Sequence, residues 1–492
     1  MDKVFYRLDK QFGRILLVMI GLILVIYANT LNNGFVSDDI PAIVNNPKIS
    51  HILSNGLNPC NLTNSLGYLI GKLNPAVYHL TNIILHSLNS ILVFLFLRLF
   101  FRPWEAGWAV LIFAAHPVHT EAVSWISGRP YLFLSFFVLS SFLLYVSAVG
   151  SAKLNKLKYA ASLGLYFFSL YSCIFALIFP GMLILYDLTF GLWRRNWKYW
   201  TAFLVLTGLK LWQMAGAIKQ RVAEVSFDTG SSDLTNPLFN AVYSLFSHLG
   251  LLVWPAKLTF YHEPYSLSPA MLVIGVFSLL LIVLAMPFVF RRSRILFFAG
   301  GFFALFLAPT YSPVTISWLI AERYLYLPSM ALSIFLAARL KKCSGGRKAK
   351  TTANLVMIFL LAACSLRTII RNFDWKNHAA IWRATVKASP LSPKARNNMG
   401  DVHCGEGNLE KAVEQFKTAV ELKPDYADAY HNLANTYQKM GRIEEAIRNY
   451  EKALSLNPRL YQSDTQLGII YFNRGFRAQA GAYFQKAREI EE

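Results

Sequence analysis

Apolar residues along the first 371 positions fall into runs of about 17 to 22, separated by short polar loops. A run of that length crosses the hydrocarbon core as one helix. The pattern predicts eleven spans, near 14–31, 77–97, 106–125, 130–149, 158–174, 175–192, 199–217, 269–290, 295–311, 324–340 and 352–370. A twelfth apolar stretch, 237–255, is broken by Ser244, Ser247 and His248 and reads as an interfacial or re-entrant helix. After about residue 371 the pattern changes. Charges return and the apolar positions take up helical spacing. Gly407, Gly441 and Gly475 are 34 residues apart, as are Ala412, Ala446 and Ala480, and Phe416, Tyr450 and Phe484. Pro424 and Pro458 close the first two units. A repeating helix–turn–helix unit of this length, with small residues at its contact points, is the tetratricopeptide pattern. The predicted fold is all-α: a polytopic membrane domain over 1–371, an amphipathic connector over 372–391 with Trp375, Ile381 and Trp382 on its apolar side, and three repeats over 392–492.

Composition supports the membrane reading. The chain has 492 residues, 55% hydrophobic and only 15% charged, and a mean hydropathy of +0.38. The net charge of +21 is scattered in short clusters between apolar runs, which excludes a nucleic-acid groove and fits topology determinants. Lys153, Lys156 and Lys158, then Arg194, Arg195 and Lys198, then Arg291, Arg292 and Arg294 all fall on one side if the N-terminus is cytoplasmic. That orientation predicts an integral protein of a bacterial inner membrane or its equivalent. It places the first loop and the repeat domain on the extracytoplasmic side. The first span reads as a retained signal, with no small-residue cleavage site after it. The five cysteines show no metal or disulfide spacing.

Polar groups beside a bilayer are costly and mark candidate sites. Asp38 and Asp39 follow the first span. A partly desolvated carboxylate there is a candidate general base; the simpler alternatives are that Asp38 caps a short helix starting at Pro41 or that both are solvated. In "HPVHTEAVSWISGR" (116–129), His116, His119 and Glu121 have spacing suited to orienting a phosphate or holding a divalent metal, with Asp38 or Asp39 completing the ligands. Arg129 suits bidentate phosphate binding, with an interfacial snorkelling role as the alternative. Glu322-Arg323 is either an intramembrane ion pair or, through Arg323 with Tyr324 at headgroup level, a lipid-phosphate contact.

The segments "GFVSDDIPAIVNNP", "NPAVYHLTNIILHSLNSILVF", "FAAHPVHTEAVSWISGR", "LILYDL", "LLVWPAKLTFYHEPY" and "AERYLYLPS" occur in this order before the repeat tail. In this the chain resembles the transmembrane-and-tetratricopeptide, O-mannosyltransferase-like family of GT-C membrane glycosyltransferases. The resemblance implies a polyprenyl-phosphate-linked sugar as donor and a hydroxyl acceptor, on a protein, at the extracytoplasmic face. It counts Asp38, Asp39 and Glu121 as catalytic carboxylates. It sets His116, His119, Arg129, Glu322, Arg323 and Tyr324 around the donor phosphate. A metal, if used, would fall to Asp39, His116 and His119. The repeat groove would present the acceptor protein. The chain departs from the family pattern in three places: Asn58 stands for an arginine, Tyr131 for an acid and Cys173 for a lysine. A membrane-anchored repeat scaffold without catalysis is the alternative these departures raise.

Overall fold

The computed structural model describes residues 10–52, 56–150, 153–228, 237–262, 269–311 and 318–491. The end of "LLVWPAKLTFYHEPY" lies outside them. Among the described residues the chain is helical, without strands. It divides into two units, Met1–Leu258 with Pro264–Asn377, and Thr259–Glu263 with His378–Glu492.

The first unit holds α1 (Lys10–Tyr27), α2 (Pro59–Gly71), α3 (Pro75–Arg98), α4 (Pro103–Ala115), α5 (Thr120–Ser124), α6 (Arg129–Val149) and α7 (Lys156–Ser172). It continues with α8 (Phe179–Thr189), α9 (Trp193–Asp228), α10 (Pro237–Val253), α11 (Pro269–Arg292), α12 (Arg294–Leu307), α13 (Met330–Cys343) and α14 (Arg347–Asn372). Each predicted apolar span overlaps a helix. Among the described residues, seven helices are long and apolar enough to cross a bilayer, and Ile174–Thr189 and Leu238–Val253 are shorter apolar helices. The chain is an integral membrane protein.

Two predicted spans are interrupted where they carry polar motifs. The third stops at Ala115, passes through a tight turn at Pro117–His119 and resumes as the five-residue α5. Pro117 explains the stop: it has no N–H to donate, and it disfavours helical geometry at His116, which takes φ −69°, ψ 126°. The tenth begins with a tight turn at Glu322–Leu325 before α13. Pro328, just ahead of α13, accounts for that break in the same way. Both breaks carry the polar motifs.

The membrane core is aromatic. Phe96, Phe142, Tyr186, Phe298 and Phe302 interlock with ring centroids 5.1–6.0 Å apart. Within this packing Asp187 of "LILYDL" is fully buried. It accepts bonds from Tyr145 Oη (2.6 Å), Trp200 Nε1 (2.8 Å) and Asn196 Nδ2 (2.9 Å). The motif ties α8 to α6 and α9 and satisfies a buried carboxylate that would otherwise be costly. Ser244 and His248, the residues that break the apolar run of α10, are buried. Ser244 Oγ lies 2.6 Å from Thr310 Oγ1.

The second unit comprises α15 (His378–Ala388) and three antiparallel pairs: α16 (Pro393–Gly405) with α17 (Leu409–Leu422), α18 (Ala427–Lys439) with α19 (Ile443–Leu456), and α20 (Tyr461–Asn473) with α21 (Arg477–Glu491). Gly407, Gly441 and Gly475 adopt φ of 77°, 74° and 85°. This left-handed conformation closes the first helix of each pair and explains why glycine recurs there. A Cβ on Gly400 would come within 2.5 Å of the Phe416 ring, and one on Gly468 within 2.6 Å of Phe484. These glycines let the first and third pairs close. Phe260 and Tyr261 stack against Trp382, with centroids 5.4 and 5.2 Å away.

Candidate functional site

Asp38 and Asp39 occupy different environments. Asp39 is fully buried, and Asp38 is exposed. One Asp39 oxygen accepts from Val36 N (3.0 Å). The other accepts from Ser127 N (2.8 Å) and Ser127 Oγ (2.5 Å). Burial raises its pKa to about 6, against the lowering effect of the Ser127 and Val36 bonds and of Arg129. The wide helical turn at Ile40–Val44 has no side-chain cap, so Asp38 does not cap it, and of the two carboxylates Asp38 alone is solvated. Ser37 sits at φ 49°, a conformation unusual for a residue with a side chain. It turns the chain so that consecutive carboxylates diverge. The loop underside is fixed by Ile43, Ile49, Tyr78 and Ile126, which form one buried apolar cluster.

The partner of that loop is the break after α5. Gly128 permits it: an added Cβ would lie 2.5 Å from the Glu121 carbonyl oxygen and 2.9 Å from Ala122 Cα. Those are backbone atoms that cannot yield, so only glycine lets Trp125–Arg129 fold back on α5. Trp125 is the hub. Its indole N–H points at Val36 O (3.4 Å), its ring stacks on Trp375 at 5.9 Å, and the Arg323 guanidinium lies over it at 5.6 Å.

Arg129 is buried and turned inward. Nε donates to Asn82 Oδ1 (2.8 Å), Nη1 to Thr63 Oγ1 (3.0 Å) and Asn64 Oδ1 (2.7 Å), and Nη2 to the Tyr78 carbonyl (3.0 Å). It ties α2 and α3 to the start of α6. The same bonds place Asn61-Leu62-Thr63, which matches a glycosylation acceptor pattern, within α2 with the Thr63 hydroxyl already engaged.

Arg323 is held differently. Its guanidinium pairs with Glu121 Oε1, and its backbone N–H donates to Glu121 Oε2 at 2.7 Å. Glu121 therefore fixes both the charge and the backbone of the "AERYLYLPS" turn. The guanidinium also shares side-chain hydrogen bonds with Tyr131 and Tyr324; the Tyr324 ring lies 5.1 Å from it, and Tyr131, Tyr324 and Phe175 contact one another at 5.1–5.9 Å. Cys173 is an electrostatic neighbour of both Tyr131 and Arg323. Two of the three departures from the family pattern thus adjoin each other and Arg323.

His116 and His119 are buried. His116 Nε2 lies 3.0 Å from the Leu252 carbonyl, which puts the proton on Nε2, and Nδ1 accepts from Val118 N at 3.3 Å. His119 Nε2 meets Ser329 Oγ at 2.8 Å, and Ser329 in turn donates to the Tyr326 carbonyl. Among the described residues no three His, Cys, Asp or Glu side chains group as metal ligands. Both nitrogens of His116 and both oxygens of Asp39 are already bonded, so Asp39, His116 and His119 as placed do not form a metal site.

Several residues of the site were not singled out by sequence. On α3, His79, Asn82, His86 and Asn89 are all buried. His86 bonds Tyr326 Oη (2.6 Å) and the Ala114 carbonyl (3.0 Å), and Asn82 Nδ2 donates to the Val123 and Trp125 carbonyls. Their spacing of 3, 4 and 3 inside an apolar span is a polar stripe on one helix face, a signal present in the sequence. At the end of α14, Arg371 lies 3.4 Å from Glu322 and 2.8 Å from Asp374. Asn372 bonds Ser124, Asn29 and the Ile26 carbonyl. Glu322 therefore faces a cation, and Asn372 ties the ends of α1, α5 and α14 together.

The comparisons with known proteins agree with both units. The description "TPR repeat" matches residues 400–441 and "Tetratricopeptide repeat" residues 427–460. Human protein O-mannosyl-transferase TMTC3 is 26% identical over 494 residues, covering 83% of this chain and 51% of that protein. Caenorhabditis elegans protein O-mannosyl-transferase F38B6.6 is 25% identical, covering 85% of this chain and 65% of that protein. Human TMTC4 is 26% identical, covering 81% and 65%. The chain spans about half the length of the first of these relatives and less than two thirds of the others. From its apolar helices through its repeats, the chain is a homologue of the TMTC protein O-mannosyl-transferases.

Proposed function

We propose that this protein transfers a sugar from a polyprenyl-phosphate donor to a hydroxyl group on an acceptor protein, at the extracytoplasmic face of the membrane. The observation that carries the reading is the division of the carboxylate pair. Asp39 anchors the first loop to Ser127, and Asp38 is left exposed on a loop held in place from below. Names of relatives alone would not distinguish the two residues.

In this reading the acceptor hydroxyl gives its proton to the Asp38 carboxylate as its oxygen attacks the anomeric carbon. The bond from that carbon to the phosphate oxygen breaks, and polyprenyl phosphate leaves with the electron pair. Charge builds on the leaving phosphate, and a fixed cation in a desolvated setting stabilises it most. Arg323 has that character: Glu121 orients it and aromatic rings flank it. Glu121 is then a positioning residue, as are Asp39 and Arg129. His116 and His119 shape the wall beside it. The repeat unit would hold the acceptor protein.

The test uses purified full-length chain in vesicles, radiolabelled polyprenyl-phosphate mannose and a serine/threonine-rich acceptor. Transfer to the acceptor, or donor hydrolysis in its absence, is expected. If neither occurs with any polyprenyl-phosphate hexose, the scaffold reading replaces this one.

A further inference from the structure

A cavity of about 380 Å³ opens where the N-terminal ends of α1, α4 and α14 meet, away from the carboxylate loop. Its lining includes Gln11 and Arg14 of α1, Trp104 of α4 and Lys350 of α14, with Ile15 and Val18 forming an apolar wall. Arg14 and Lys350 are exposed, and among the described residues neither has an ion pair. Lys350 Nζ lies 5.1 Å from the centre of the Trp104 ring, so it is held over the mouth. Trp104 and neighbouring Trp108 both donate to Asn354 Oδ1, at 3.1 and 3.0 Å. These bonds fix the indoles and leave them nothing to offer a ligand but their faces.

We infer that this cavity binds the headgroup phosphate of an anionic phospholipid, with an acyl chain running along Ile15 and Val18. The chemistry favours a lipid. Two cations and an amide lie at the helix ends, and the wall below them is the lipid-facing surface of a spanning helix, with Val18 57% exposed. A basic recess between membrane helices is suited to anionic headgroups, and paired indoles at such a level match the interfacial belt. The amide-rich starts of α4 and α14, which have no side-chain caps, add partial positive charge to the same place.

The experiment is native mass spectrometry of the full-length protein in neutral detergent, titrated with phosphatidylglycerol or phosphatidylcholine of the same acyl chains. Phosphatidylglycerol should be retained and phosphatidylcholine should not. Arg14→Gln and Lys350→Gln should each weaken retention roughly fivefold, and together about thirtyfold. Arg291→Gln with Arg292→Gln, equally basic but outside the cavity, should leave it unchanged. Equal retention of both lipids, or equal weakening by the control pair, would overturn the assignment. So would displacement of the lipid by millimolar inorganic phosphate, which would make the ligand free phosphate. The wild-type comparison of two lipids stands even if a variant fails to fold. None of these outcomes depends on sugar transfer.

Discussion

Arg129 and Arg323 have the same status in the sequence: each is an arginine at the end of an apolar span, suited to a phosphate. Their surroundings divide them. Arg129 gives four hydrogen bonds to neutral protein acceptors and is 1% exposed. Arg323 is paired with one carboxylate, shares side-chain hydrogen bonds with Tyr131 and Tyr324, and lies beside aromatic faces. A guanidinium already surrounded by acceptors braces a fold. One paired with a carboxylate and with tyrosine hydroxyls that can turn away leaves donors that a ligand could take. What separates the two is the kind of internal partner: neutral fixed acceptors around Arg129, a carboxylate and aromatic hydroxyls around Arg323.

The same exchange at both positions would sharpen that contrast. Arg129→Lys replaces a planar fork by a single ammonium and strands several buried acceptors. The expected loss is about 3–5 kcal/mol, at one to three per unsatisfied group, read as a large fall in the thermal unfolding midpoint. Gly128→Ala should come next, at about 2–3 kcal/mol, because its Cβ would meet backbone rather than a movable side chain. Both changes break the brace. If either leaves the unfolding midpoint unchanged, the brace is not there.

The pH dependence of Asp39 tests the other half of the brace. Its folded pKa is raised to about 6, above the unfolded value near 3.9. The folded state therefore holds more protons than the unfolded state between those values. Stability contributed by the protonated form is present at low pH and is lost as pH rises through about 6. Lowering pH from 7 to 5 should stabilise the wild type by about 1.4 kcal/mol relative to Asp39→Asn. Parallel unfolding curves for the two proteins across this range would show that Asp39 is not desolvated.

Arg323→Lys should change stability least, by under about 1 kcal/mol, because an ammonium can still pair with Glu121. Its effect should appear in donor binding, weakened by about tenfold, equivalent to ~1.4 kcal/mol. A loss of stability without a loss of donor binding would put Arg323 in the same class as Arg129.

Much of the architecture was legible in the sequence because it depends on local pattern. Apolar runs became helices, and the 34-residue period became three helix pairs closed by left-handed glycines. The site was legible only as segments. Its bonds join residues far apart in the chain: Glu121 to Arg323, Asn372 to Ile26, Trp125 to Trp375. No periodicity carries such pairings. The two interrupted spans were hidden for a related reason. Apolar residues flank each break closely enough that the span reads as one run, and only the polar motifs with Pro117 and Pro328 mark the interruption. The stripe of His79, Asn82, His86 and Asn89 could have been read as a buried polar face, since four polar residues on one side of a membrane helix need internal partners.

The central claim is that the exposed member of the carboxylate pair takes the proton. The most direct measurement is sugar transfer by Asp38→Asn beside its unfolding midpoint, in the full-length protein. The account predicts a fall in turnover of at least about a hundredfold, the scale of a lost general base, with the midpoint unchanged and donor binding intact. Turnover undiminished in Asp38→Asn would contradict it.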